Sequence, residues 1–136
     1  MNLALQGMNP KILELEETLR GMPQLDLPVK HYQIEGVYVR ELFLPKGTVL
    51  TGKIHNTEHI SILSQGELMV VSEQGTFSLK APYTVIDKPG TKRAGYAVTD
   101  CTFINVMRSD KLTIEDLEEE LVSDTFEEFE QKRLSL

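Results

Sequence analysis

The sequence predicts a mainly β protein: one antiparallel sandwich or barrel with a helix-forming segment at each end. Between residues 34 and 108, short strand-like runs recur at roughly ten-residue spacing. Turn residues punctuate them at Pro45-Lys46-Gly47, Gln65-Gly66, Gln74-Gly75, Lys88-Pro89-Gly90 and Thr99-Asp100. No helix-length segment separates the strands, which disfavours the strand–helix alternation of a parallel sheet.

Residues 9–22 open the chain as a helix. Asn9 can cap it, Pro10 suits the first helical position and Gly21 ends it. Ile12, Leu15, Leu19 and Met22 form one apolar stripe, and Glu16 can pair with Arg20 one turn on. The next stretch, MPQLDLPVKHY, holds two prolines and no helical period, so it reads as an extended connector or an edge strand. The predicted strands are GVYVRELFL, the stretch around TGKIH, HISIL, ELMVVSE, TFSLK, YTVID, GYAVT and CTFINVM. From residue 113 the pattern returns to helix. Thr113 with Asp116 resembles a capping box, Ile114, Leu117 and Leu121 form a stripe, and a second short helix begins near Thr125 with Phe126 and Phe129 on one side. This divides the chain into a helix and connector (1–33), a β-barrel (34–110) and an acidic helical tail (111–136), all within one structural domain.

A chain of 136 residues can bury a core without staples. Its net charge of −7 is unevenly placed. Residues 1–112 hold 12 acidic and 12 basic side chains, whereas residues 113–136 hold 9 acidic and 2 basic ones. Such a tail repels phosphate backbones, which argues against general nucleic-acid binding, and its plainest reading is a solvated helix face. No apolar run approaches membrane-helix length. The start, MNLALQGMNP, lacks the basic and apolar regions of a secretory signal, and the single cysteine, Cys101, suits a reducing cytoplasm as an inert core thiol.

The segment PKGTVLTGKIHNTEHISILSQG carries two of the three histidines, His55 and His59, four residues apart. Imidazole is the commonest protein metal ligand, so the pair marks a candidate metal site on a β scaffold. There is no GxSxG elbow, Walker-type loop or CxxC pair, and Glu41 is a lone carboxylate on the opposite strand face to Arg40.

This stretch resembles the first motif of the cupin superfamily: Gly, five residues, His-x-His, three or four residues, Glu, six residues, Gly. Aligned on Gly66, the chain reads Lys53-Ile54-His55, three residues, His59, six residues, Gly66. Lys53 stands at the first His position and His59 at the Glu position. The second cupin motif, Pro-x-Gly, two residues, His, resembles Lys88-Pro89-Gly90 followed by Thr91, Lys92 and Arg93, with Arg93 at the His position. The resemblance spans about residues 36–108 and implies a double-stranded β-helix, or jelly-roll barrel. The KIH, EH, PGTKR and GYA stretches are also similar to those of small cupin-domain proteins carried by bacteriophages and prophages, which implies a viral accessory protein in the host cytoplasm. Cupin relatives often dimerise through their sheets, which implies a homodimer or higher homo-oligomer.

Alternation puts Lys53 and His55 on one strand face, and His59 can turn inward beyond the TE-containing turn. Two imidazoles with water hold Zn, Ni, Fe or Mn only weakly; a third ligand would come from Glu58, Tyr32, His31 or the last strand. Lys53, Lys92 and Arg93 instead suit a cationic pocket for a small anion such as a sugar acid or nucleotide, with Tyr96 covering it. The leading expectation is therefore a non-enzymatic binding module using Lys53, His55, His59, Arg93 and Tyr96. The alternatives are a metal-dependent dioxygenase, isomerase or lyase using His55 and His59, and a structural or host-interaction protein docking through its acidic tail.

Overall fold

The computed structural model describes residues 10–24, 26–72 and 75–134. The proposed cap Asn9 and the turn residue Gln74 lie outside them. Helix α1 (Pro10–Arg20) begins and ends close to where its sequence signals place it. Ile12 is buried, Leu15 and Leu19 are half-buried, and Glu16 pairs with Arg20 at 3.2 Å. Met22 lies beyond the helix and is exposed. The Leu19 carbonyl at the helix end accepts from the Met22 amide at 3.1 Å and from the Gln24 side-chain amide at 2.7 Å.

The strands follow as β1 (Val29–Ile34), β2 (Val37–Leu44), β3 (Val49–Thr51), β4 (Ile54–His55), β5 (His59–Gln65), β6 (Glu67–Ser72), β7 (Gly75–Lys80), β8 (Tyr83–Asp87), β9 (Ala94–Ala97) and β10 (Cys101–Arg108). Helix α2 (Ile114–Leu121), the short strand β11 (Val122–Ser123) and helix α3 (Phe126–Leu134) close the described chain. One sheet runs β1-β2-β10-β5-β8 and the other β3-β9-β6-β7, with every pairing antiparallel. The second half of the proline-flanked connector is thus an edge strand, paired with β2 along its length, and the sheet starts at Val29 rather than at residue 34.

Side-chain alternation sorts each strand into an inner and an outer set. Leu42, Leu44, Leu63, Leu68, Val70, Ala97 and Cys101 face one another and form the main core. Cys101 is fully buried; burial raises its thiol above the usual range, as its place in an alternating apolar run predicts. The outer face of the five-stranded sheet carries one apolar row across its width. Tyr32, Val39, Val106, Ile60 and Ile86 stand in register across all five strands.

The acidic tail is stitched to the domain. Thr113 caps α2 by accepting from the Asp116 amide at 3.1 Å. Leu117 and Leu121 pack on Tyr38 and Met107, while Phe126 and Phe129 cover Ile54. β11 pairs with β4, setting Val122 opposite His55. Six of the tail's acids face water while Glu120, Glu128 and Glu130 are half-buried, and its apolar stripe closes one end of the space between the sheets.

Candidate functional site

The space between the sheets holds a polar layer above the apolar core. β2 contributes Arg40, β10 Asn105 and β5 Ser61, which lie side by side in register. β4 contributes His55, β5 also His59, β8 Asp87, and the segment entering β9 contributes Arg93. Asp87 is the hub. Ser61 donates to it at 2.6 Å, Arg93 grips both its oxygens in a two-pronged ion pair, and His59 Nε2 lies 3.3 Å away. Asn105 donates to Ser61 at 2.9 Å, extending the chain to the middle strand. Burial opposes ionisation of Asp87, but the bonds from His59, Arg93 and Ser61 outweigh it and hold the carboxyl well below its usual range.

His55 and His59 stack with ring centroids 4.0 Å apart. Burial, and next the neighbouring His59, push His55 down to about 3 against the opposing pull of Asp87. Its Nδ1 is buried with no hydrogen-bond partner among the described residues. His59 donates from Nδ1 to the Thr57 carbonyl at 3.1 Å, and its Nε2 faces Asp87. Each of its nitrogens therefore lies against an oxygen, Nδ1 against the Thr57 carbonyl and Nε2 against Asp87. Among the described residues no group of three or more His, Cys, Asp or Glu is placed to hold a metal ion. The possible third ligands lie elsewhere. Glu58 pairs with Lys88 at 2.7 Å, Tyr32 donates to Glu41 at 3.2 Å, and His31 bonds and stacks with Tyr38. This donor set does not fit a metal centre.

Beside the polar layer lies a cavity of about 440 Å³. Arg40, His55 and Asn105 reach it from the strands, while Leu50, Met107 and Leu121 are among its apolar walls. Arg40 is half-buried there and makes no hydrogen bond or ion pair with any described residue. A guanidinium withdrawn from bulk water normally has an anionic or hydrogen-bonding partner. Lys53 lies at the rim, 54 % exposed and 3.4 Å from Asp124.

The residues singled out in the sequence are thus distributed unevenly. His55 and His59 meet; Lys53 is peripheral; Arg93 is near them but spent on Asp87. Tyr96 does not face the cavity. It alternates with the inner Gly95 and Ala97 and stands in an exposed outer row with Val49 and Met69. Lys92 neither lines a pocket for anions beside the histidines nor faces solvent. It is 2 % exposed and donates to Glu16 at 2.5 Å and to the Gly52 carbonyl at 2.9 Å, pinning α1 to the rim of β3. Sequence reasoning missed Arg40, Ser61, Asp87 and Asn105. The signal was phase: each is a polar residue on the same strand parity as core residues, as Arg40 is with Tyr38 and Leu42.

Solved structures with a similar fold include a cupin domain from Bordetella pertussis Tohama I, which is 17% identical, with 65% of this chain and 99% of that chain covered at a TM-score of 0.50. The chain has the cupin fold. An RmlC-like cupin with a double-stranded β-helix from Methanocaldococcus jannaschii is 18% identical, covering 62% of this chain and 82% of that one at a TM-score of 0.52. A cupin superfamily protein from Desulfitobacterium hafniense DCB-2 is 11% identical, covering 81% and 90% at 0.53. No family model and no curated protein matches the sequence. Among the described residues no helix is long and apolar enough to cross a membrane.

Proposed function

We propose that this cupin-fold protein is a non-enzymatic binding module that takes a small organic anion, a carboxylate with an apolar body, into the cavity between its sheets, and that it works as a homodimer. The observation that carries the ligand reading is Arg40, a half-buried guanidinium on the cavity wall with no partner among the described residues. Its planar fork of donors matches a carboxylate. Neutral His55 and the amide of Asn105 supply further polar contacts, and the apolar walls take the body of the ligand. Glu118, the carboxylate on the lining, is exposed, where water screens it.

Arg93 belongs to the frame rather than to the ligand set. Its charge is balanced by Asp87, and that pair fixes the floor on which His59 and His55 stack. The metal-dependent alternative loses support because His59 has both nitrogens engaged. The homodimer reading rests on the outer apolar row, where Ile86 is 61% and Ile60 40% exposed.

A thermal-shift panel of straight-chain, aromatic and sugar carboxylates, with the matching neutral amides, tests the ligand reading. Carboxylates with an apolar body should stabilise the protein in a saturable way and their amides should not. Equal stabilisation by acid and amide, or none by any acid, overturns it.

A further inference from the structure

Two cavities lie between the sheets, and one side chain borders both. The first is the 440 Å³ cavity carrying Arg40, on the side of β1, β2 and α2. The second, of about 240 Å³, lies on the side of β7 and β8, with Val70, Phe77, Tyr83, Val85 and Arg93 in its wall. Phe103 lines each of them. The topology explains this. β10 is the middle strand of its sheet, so an inward side chain there stands midway between the two edges of the sandwich. Phe103 shares parity with the buried Cys101 and Asn105 and stands in register with Leu42 and Leu63. It is nonetheless only half-buried, as a ring with open space on two sides should be.

We infer that Phe103 sets the length of the ligand: it is the partition that stops an apolar tail anchored at Arg40 from passing into the second cavity. This inference rests on the anion-binding reading above. Beyond Phe103 a tail would meet Val70, Val85 and the rings of Phe77 and Tyr83, surfaces that suit hydrocarbon. Arg93 at that end is already neutralised by Asp87, so no uncompensated charge repels the tail. The obstacle is therefore one ring, and the class selected is short-chain monocarboxylates.

Each methylene that enters an apolar site raises affinity about fourfold. In the wild-type protein this gain should stop once the tail reaches Phe103; with a smaller side chain it should resume. Calorimetric titration of butanoate, pentanoate, hexanoate, heptanoate and octanoate into wild type, Phe103→Leu and Phe103→Ala reads this directly. Phe103→Leu keeps most of the packing and guards against a variant that fails to fold. The expected result is a wild-type profile that levels off within the series. Octanoate should bind at least tenfold tighter to Phe103→Ala than to wild type, with Phe103→Leu between them. Chain-length profiles that coincide in wild type and both Phe103 variants overturn the partition and leave the anion site standing. Failure of every acid to bind any of these folded proteins overturns both.

Discussion

At the scale of single residues, the site is organised by which charges are already answered. Arg93 and Lys92, adjacent in sequence, find carboxylates in the buried Asp87 and the half-buried Glu16, and are structural for that reason. Lys53 finds Asp124 in water, a pair worth little. Arg40 alone of the cavity's cations is both withdrawn from solvent and unanswered among the described residues. The polar layer also sets the protein's acid response. His55 in the folded state sits near 3, below the roughly 6.5 of an unfolded histidine. As pH falls, the unfolded chain takes up that proton first. The contribution of neutral His55 is therefore intact above about 6.5 and is lost progressively as pH falls from there toward 3. At pH 5 the loss is on the order of 2 kcal/mol. Asp87, whose folded value is depressed, adds a second loss only below the ordinary carboxylate range. Urea unfolding at pH 7, 6 and 5 should show the wild-type midpoint falling, and His55→Gln should flatten that decline. Parallel pH dependence in both proteins would refute the assignment.

At the scale of elements, turns were more legible than interior polar positions. Gly66 shows why. It has a φ of +91°, and a Cβ added there would lie 2.1 Å from the Asp100 carbonyl oxygen and 2.9 Å from Cys101 Sγ. Only glycine fits the bend between β5 and β6, so a glycine at that spacing announces the turn. Gly47 has a similar φ of +88° but open space around the added carbon. Gly66→Ala should therefore cost about 2–4 kcal/mol and Gly47→Ala about 1 kcal/mol. Urea midpoints check the contrast, and equal losses would mean that backbone strain alone, without the close approach, governs both. Strand alternation and the Thr113 cap were legible for the same local reason. The partners of Lys92 and Asp87 were not, because Glu16 and Arg93 reach them through the fold and no spacing rule links residues 16 and 92. The two histidines were visible as a pair, but their stacked orientation depends on β4 being held by β11.

At the scale of the whole molecule, the acidic tail proves to be the closing wall of the cavity rather than a free appendage, since Leu117 and Leu121 line it from α2. The opposite outer face is unfinished in a different sense. Tyr32, Val39, Val106, Ile60 and Ile86 form an apolar row across all five strands, and Ile104 and Ile62 extend it in the next row between Glu41 and Thr84. Large apolar side chains exposed side by side in this way mark a contact surface. A second copy offers the same twisted sheet, and two such faces pack with strands nearly aligned. Sedimentation analysis should therefore find a dimer, and Ile60→Lys with Ile86→Lys should convert it to a folded monomer. A wild-type monomer at tens of micromolar would contradict this.

The central claim is that Arg40, not Lys53 or Arg93, receives the ligand's charge. The most direct measurement is a titration of ¹⁵N-labelled protein with hexanoate, followed by NMR at the side-chain N–H groups. Saturable shifts of the Arg40 guanidinium and the Asn105 amide, with Arg93 held in place by Asp87, are the predicted result. Shifts confined to Lys53 or Arg93, or no saturable shift at Arg40, would contradict it.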